Sequence, residues 1–536
     1  MPIKENDAYF PRFYSLFKWL LLLLIIPGYF INLGLLPLIS DEPTRGIVTL
    51  EMIMSGNYII PTINGELYLN KPPLFNWILA SLVFITGSMD EWVFRLPSIL
   101  AIAGIALLIW FASRNFLKEY AFVASLSFIV AGRVLFWDSF MGLIDLTYSM
   151  VTFASFIWLI KYHQKEKYYW FFIGSYILAA IGYLMKGMPS IAFQGLSVVS
   201  LLLYDKKFKQ LFSIAHLTGV LVFIILVGGY YLLFGQQYSI ESAVFNLINE
   251  SNRLQDHSGN GGNWWFHLVE FPLNFMTEFA PATLLLFLLF HKQLRKSVLK
   301  DKFTRYLILI FLVNIVIYWL SADMRSRYLF MLVPVLIIVL VKAYQEAEKN
   351  RIFLLRVLNG IIISAAFLIS FSIMIYPFWE ETRNFNNVLY ICIVLTTLSL
   401  SIAVYGYKTQ KMKLLALFGC LLVFRIGFNL YNLPARINSL PDKGYKEGEI
   451  RAAQLSKGTS LYILGDTPIN HDASFYITRE RKTILTRTWQ IKNPGTFYLV
   501  DDKNLGIFAK ESINHEVMHS FVIKLNETKL YLVKRL

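Results

Sequence analysis

Along most of this chain, apolar residues run for about twenty positions before a charged turn interrupts them, which is the length an α-helix needs to cross a bilayer. Such runs lie near 17–37, 92–112, 120–137, 141–160, 169–185, 188–204, 211–234, 272–290, 304–320, 328–343, 353–376, 388–406 and 413–432. The first is long enough for a full crossing, and no A-x-A-like cleavage site follows it, so it is predicted to be a retained span. Two stretches break the pattern. Between Asp41 and Glu91, "TLEMIMSG" predicts a short amphipathic helix stopped by Gly56, and "PPLFNWILASLVFITG" a second helix opening on prolines, which a first turn tolerates. Both are expected to lie along the membrane interface. After about Leu440, short alternating segments such as "SLYILGD", "TFYLVDD" and "TKLYLVKRL", separated by Gly, Pro and Asn turns, predict a small mixed α/β domain. The expected architecture is a polytopic α-helical membrane protein of about thirteen transmembrane helices. It has interfacial helices in the first outer loop and divides into a transmembrane domain over 1–440 and an α/β domain over 441–536.

Composition agrees: 56% of the residues are hydrophobic and the mean hydropathy is +0.52, more apolar side chain than a soluble core encloses. The net charge of +15 changes the picture only through its placement. Every second turn is basic: Arg114 and Lys118; Lys161, Lys165 and Lys167; Lys206, Lys207 and Lys209; the stretch from Lys292 to Arg305; that from Lys342 to Arg356; and Lys408, Lys411 and Lys413. Short basic loops on one side are the positive-inside pattern, and no aromatic-interleaved basic patch points to nucleic acid. The protein is therefore placed in the cell membrane (the inner membrane if Gram-negative), with membrane lipids as neighbours and the alternate loops and C-terminal domain extracytoplasmic. Cys392 and Cys420 lie in apolar runs and are read as small hydrophobes.

The outer loops hold the unusual chemistry. Asp41 and Glu42 stand where the first span leaves the lipid, and Lys71 stands at the start of the second interfacial helix. Asp138 and Asp145 are seven residues apart, so one helix would place them on one face. Lys186 sits in "MKGMPS", Arg253 and His257 in "NESNRLQDHSGNGGNWWFH", and Arg325, Arg327 and Tyr328 in "SADMRSRYLFMLVP". Taken singly, a Lys or Arg at a helix end commonly snorkels, as Arg95 and Arg383 are expected to do, and an Asp there commonly caps. Trp264 and Trp265 read as an interface belt. Several carboxylates and cations on one face of an apolar bundle are costly without a shared polar cavity. Such a set suits a reaction in which one carboxylate accepts a proton while cations hold a departing phosphate. Glycosyl transfer from a lipid phosphate is one such reaction, and no nucleotide-binding glycine motif stands in a suitable context.

The ordered residues Asp41-Glu42, Glu51-Met52, Ser55-Gly56, Pro61, Asn64-Gly65, Lys71-Pro72-Pro73 and Trp77 resemble the first outer loop of the membrane glycosyltransferases that include the protein O-mannosyltransferases and the lipid A aminoarabinose transferases. "GRVLFWD", "MKG" and "RYLFMLVP" continue the likeness, which is nearer the aminoarabinose branch and covers nearly the whole chain. The resemblance implies transfer of a sugar, with inversion, from a polyprenyl-phosphate donor to a lipid or protein acceptor such as a lipid A-like glycolipid or another envelope glycan. It implies Asp41 as catalytic base or metal-linked carboxylate with Glu42 beside it, and leaves the second carboxylate open between Asp138 and Asp145. Lys71, Lys186, Arg253 and Arg327 would bind the donor phosphate, and Tyr328, His257 and Trp77 would shape the pocket. The resemblance fixes no cofactor; a divalent metal at Asp41 is compatible with it, though no spacing demands one.

The departures matter. Asn70 stands where the aminoarabinose transferases carry an acidic residue before Lys-Pro, and Thr44-Arg45-Gly46-Ile47 replaces their Arg-Tyr-x-Glu, so aminoarabinose specificity does not carry over. The W-W-D-x-G type signature of oligosaccharyltransferases is missing. The rival readings are a secondary transporter, which would place its polar residues near mid-membrane on broken helices, and a polymerase or ligase of lipid-linked glycans, which would share the outer site.

Overall fold

The computed structural model describes residues 10–252, 264–320, 325–409, 412–439 and 441–536. Helix α1 (Phe10–Phe30) leads into the first loop, where α2 (Glu42–Ser55) is stopped by Gly56 in the left-handed conformation, φ +70°. A two-stranded hairpin follows, β1 (Thr62–Ile63) and β2 (Glu66–Leu67). Its turn, Asn64-Gly65, has positive φ at both residues, as the Asn-Gly signal requires. The Glu51 carboxylate in α2 accepts hydrogen bonds from Thr62 Oγ1 and the Asn64 amide, both at 2.6 Å. "EM" and "NG" are thus two halves of one device that holds the hairpin on α2. Lys71-Pro72-Pro73 then opens α3 (Leu74–Thr86), which Asn76 Nδ2 ties to α2 by donating to the Arg45 carbonyl at 2.9 Å and Thr49 Oγ1 at 3.0 Å.

The bundle continues with α4 (Glu91–Leu117), α5 (Tyr120–Ile129), α6 (Gly132–Phe136), α7 (Ile144–Gln164), α8 (Tyr168–Lys186), α9 (Pro189–Tyr204), α10 (Ile214–Gly235), α11 (Ile240–Asn252) and α12 (Trp264–Glu278). It is completed by α13 (Lys292–Val298), α14 (Lys302–Trp319), α15 (Val333–Lys349), α16 (Phe353–Ser372), α17 (Val388–Lys408), α18 (Lys413–Gly427) and α19 (Leu433–Ser439). Among the described residues, 8 helices are long and apolar enough to cross a membrane, or 9 if the pair around α5 and α6, bent by 46°, is one span. This is a multi-pass membrane protein. The apolar helices Tyr14–Phe30, Leu74–Thr86 and Pro189–Tyr204 are shorter. Run 272–290 is not one α-helix: α12 ends at Glu278, and beyond Pro281 the chain winds as a 3₁₀ helix over Ala282–Phe290. Proline supplies no amide to continue the ladder.

The last segment contains α20 (Asp442–Leu455), β3 (Leu461–Leu464), α21 (His471–Arg481), β4 (Thr486–Thr488), β5 (Phe497–Val500), α22 (Asp502–Lys510), β6 (His515–Val522) and β7 (Lys529–Arg535). The strands form one sheet in the order β4-β3-β5-β7-β6, with β3 parallel to β4 and β5, and β7 antiparallel to β5 and β6. Three of its strands are the alternating segments singled out in the sequence. Helix α21 packs on α2. A Cβ at Gly46 would stand 2.7 Å from the Phe475 ring, so glycine lets the two helices meet. The Leu38 amide donates to Tyr476 Oη at 2.9 Å, and Lys446 and Arg479 bond Glu91 at 2.6 and 3.3 Å. The first loop is thus sandwiched between the bundle and this sheet region.

Candidate functional site

A cavity of about 330 Å³ opens where α7 begins and α8 ends, beneath α2 and α21. Arg327 organises it. Its Nη2 donates to Asp41 Oδ2 at 2.8 Å, its Nε lies 3.5 Å from Asp145 Oδ2, and its Nη1 reaches Ser40 Oγ at 3.4 Å. Although burial alone would lower it, the Asp145 and Asp41 carboxylates raise the pKa of this guanidinium. Lys186, the last residue of α8, donates to Asp145 Oδ1 at 2.5 Å, and its ammonium stands 4.3 Å from the Tyr328 ring centre. Chain direction delivers it: Gly187 turns with φ +84° and Pro189 opens α9. Lys71 lines the same cavity, close enough to act on the Asp145 carboxylate. The two acids differ in setting. The Asp145 side chain is 5% exposed and clamped between two cations, whereas Asp41 is 57% exposed and faces the open side.

Asp41, Asp145, Lys71, Lys186, Arg327 and Tyr328 are therefore brought together. Among the described residues lining the cavity, Glu42, Asp138 and Trp77 are absent. Glu42 turns inward, where it accepts from Arg95 Nε at 3.0 Å, Arg95 Nη2 at 3.2 Å, the Gly142 amide at 2.7 Å and the Ile39 amide at 2.8 Å. Arg95 accordingly does not snorkel: it is 1% exposed and also donates to the carbonyls of Leu33 and Pro37 at 2.7 and 2.9 Å. Arg383 is exposed and stands 3.9 Å from Glu380. Asp138 is held by Arg133 at 2.8 Å, and Arg133 also bonds Glu278 at 3.1 Å. It does not share a helix face with Asp145, because Met141 and Leu143 are extended and α7 starts only at Ile144. The break has a steric cause: at Gly142 the chain passes α4 so closely that a Cβ would lie 2.1 Å from the Phe94 carbonyl oxygen. The Trp77 indole donates to the Tyr58 carbonyl at 2.7 Å and meets Tyr230 edge-on at 6.2 Å. Arg253 and His257 lie outside the described residues, as do the side chains of Trp264 and Trp265.

Four further wall residues pair with one another. Arg45 donates to Tyr68 Oη at 2.8 Å, and Thr44 Oγ1 shares a hydrogen bond of 2.7 Å with His471 Nδ1. His471 comes from the first turn of α21; although the residue is exposed, desolvation of its ring at the cavity wall, with Arg45 nearby, holds its pKa below the usual value. Sequence reading missed it; the only signal is a histidine directly after the Asn470 helix cap. The donor set does not fit a divalent metal at Asp41. Among the described residues no group of three or more His, Cys, Asp or Glu side chains could hold one, and the partner of Asp41 is a guanidinium.

Comparison with known proteins bears on this arrangement. Residues 70–231 match the family model described as dolichyl-phosphate-mannose-protein mannosyltransferase. A protein of Aquifex aeolicus, described only as uncharacterized, is 26% identical over 309 residues, covering 56% of this chain and 66% of the relative. The undecaprenyl phosphate-alpha-4-amino-4-deoxy-L-arabinose arabinosyl transferase 2 of Proteus mirabilis is 25% identical over 201 residues, 35% of this chain and 36% of that protein. The chain thus matches between about a third and two thirds of the length of these curated relatives. The crystal structure of ArnT from Cupriavidus metallidurans in the apo state superposes with a TM-score of 0.67 at 15% identity, covering 98% of both chains. The same protein bound to undecaprenyl phosphate gives 0.67 at 17% identity, covering 97% of this chain and 98% of that one. The resemblance read from residues 41–77 and these matches point the same way: the chain is built on the ArnT fold and carries, over residues 70–231, the sequence pattern of the dolichyl-phosphate-mannose-protein mannosyltransferase family.

Proposed function

We propose that this protein is an integral-membrane glycosyltransferase that moves a sugar from a polyprenyl-phosphate donor to an acceptor on the extracytoplasmic side. The observation that carries it is the convergence of Lys71, Lys186 and Arg327 with one open and one clamped carboxylate in a single cavity. The acceptor hydroxyl or amine attacks the anomeric carbon from the face opposite the phosphate. The carbon–oxygen bond to the phosphate breaks, and the polyprenyl phosphate departs with the electron pair and its negative charge. Lys186, Arg327 and Lys71 offset that charge, which is the kind of preorganised stabilisation that lowers such barriers most. Asp41, the exposed carboxylate, takes the proton of the acceptor. Asp145 holds Lys186 and Arg327 in place and acts as the second carboxylate by positioning them. Glu42 and Asp138 serve the scaffold.

The architecture proposed around this site has about thirteen crossings, counting shorter and interrupted apolar helices as spans, a transmembrane domain over 1–440 and a separate α/β domain over 441–536. The short basic turns lie in the cytoplasm, so that cavity and sheet face outward, in the inner membrane if the organism is Gram-negative. The family match and the printed names of the relatives support a lipid-phosphate sugar donor. A lipid A-like glycolipid is the proposed acceptor class, with another envelope glycan or a protein as alternatives.

The test is transfer by purified, reconstituted protein from radiolabelled undecaprenyl-phosphate sugars to lipid and protein acceptors. Wild type is expected to label one acceptor class, and Asp41→Asn to lower the rate by about 10²–10⁴. Equal transfer by both would remove Asp41 from the role of base; absence of transfer from every lipid-phosphate sugar would remove the proposed reaction.

A further inference from the structure

Helices α7 and α8 run from the cavity to the opposite end of the bundle, where they border a second recess that the proposed transfer does not use. This groove, about 1020 Å³ in volume and about three times the size of the catalytic cavity, lies between the C-terminal halves of α4 and α7, the side of α8 and the start of α14. Its walls are apolar, with Ile157 and Leu178 inside, and exposed Phe111 and Ile177 leading out toward lipid. Its floor is fixed. The Trp158 indole donates to the Trp170 carbonyl at 2.7 Å and lies so flat against α8 that a Cβ on Gly174 would fall 2.1 Å from the ring.

The mouth is different. Arg114, Lys161, Lys165 and Lys302 stand around it with a single carboxylate, Asp301. That carboxylate is engaged in capping α14, where it accepts from the Thr304 amide at 2.8 Å and Thr304 Oγ1 at 3.0 Å. Lys302 is partnered by Asp205 at 3.1 Å. The Arg114 guanidinium rests 5.0 and 5.1 Å from the rings of Trp110 and Phe111, an arrangement that aims it without neutralising it. An apolar slot open to lipid and rimmed by excess positive charge at helix ends complements one class of molecule, a lipid with a phosphodiester headgroup and a net negative charge.

We propose that this groove binds an anionic diacyl phospholipid, its phosphate held by Arg114, Lys161 and Lys165 and its acyl chains lying on the wall of Ile157 and Leu178. A soluble anion would have no use for the apolar slot, and a zwitterionic lipid or a helix of another protein would have none for the cations.

The experiment uses full-length protein in detergent, stripped of lipid and titrated with dioleoylphosphatidylglycerol or dioleoylphosphatidylcholine, with bound lipid counted by native mass spectrometry. Each cation beside an anionic headgroup is worth about fivefold in affinity. Wild type should therefore bind phosphatidylglycerol about 100-fold more tightly than phosphatidylcholine, and the triple variant Arg114→Gln/Lys161→Gln/Lys165→Gln should lose that preference. Ala154→Phe, which fills the slot from α7, should lower binding of both lipids. Equal affinity of wild type for the two lipids overturns the proposal without reference to any variant, and so does an undiminished preference in the triple variant. Because the groove and the cavity lie at opposite ends of α7 and α8, neither result bears on the transfer reaction.

Discussion

Replacing Glu42 with Gln separates scaffold from chemistry in the acidic pair that opens the first loop. Each Glu42 oxygen accepts two hydrogen bonds: Oε1 from Arg95 Nε and the Gly142 amide, Oε2 from Arg95 Nη2 and the Ile39 amide. However the new amide turns, its NH₂ replaces one oxygen and faces two N–H donors. A buried donor without an acceptor costs about 1–3 kcal/mol, so two cost about 2–6 kcal/mol. Breaking a buried ion pair by removing one partner gives an independent figure of about 3–5 kcal/mol. The two ranges overlap, and a loss of about 3–5 kcal/mol is expected. The assay is the fraction of protein that stays monodisperse after heating in detergent, for wild type, Glu42→Gln, Arg95→Met and the double variant. Glu42→Gln should melt well below wild type, and the double variant should recover part of that loss because no charge is left buried alone. Melting like wild type, combined with abolished transfer, would return Glu42 to the chemistry.

Three further outcomes are expected. Lys186→Met, which removes the 2.5 Å partner of Asp145, should lower transfer by about 10²–10³ with the bundle still folded, as read from initial rates of the reconstituted protein. Burial, with Asp472 and Asp442 nearby, raises the Glu449 carboxyl well above its usual value, and burial raises Asp472 to about 6. Stability from such groups is present below their unfolded values and is lost as pH rises through the folded ones. Glu449→Gln should therefore raise the thermal midpoint at pH 8, with the gain shrinking toward pH 5; an unchanged midpoint at pH 8 would contradict this. His471 shifts the other way, so its contribution is present above the unfolded value near 6.5 and fades as pH falls below it. Limited proteolysis of the sheet region should accelerate below about pH 6.5 in wild type, and His471→Gln should remove that acid-side step.

What could be read from the chain was whatever is encoded locally. The helix stopped by Gly56 and the three alternating strands depend on neighbours a few residues away, and all appear where expected. Lys186 was legible for the same reason, since "MKGMPS" is itself the turn that places it. The direction of a side chain was not legible wherever its partner lies far along the chain. Glu42 looked equivalent to Asp41, but Arg95 draws it inward across a separation of 53 residues while Arg327 holds Asp41 at the cavity across 286. Seven-residue spacing put Asp138 and Asp145 on one helix face, and the close passage of Gly142 past α4 undoes that helix. His471 meets Thr44 across 427 residues, beyond any local pattern.

That last contact, with the Leu38–Tyr476 bond 438 residues apart in the chain, has a consequence for biogenesis. Residues 41–86 leave the ribosome before the sheet region does, yet the face of α2 beside Gly46 waits for Phe475, and the cavity wall waits for His471. Until the sheet region has folded against α2, the acidic and basic residues of the cavity stand without their cover. A chain cut or stalled before His471 can therefore insert in the membrane with an unfinished cavity, one wall of which is supplied only by a helix made more than four hundred residues later.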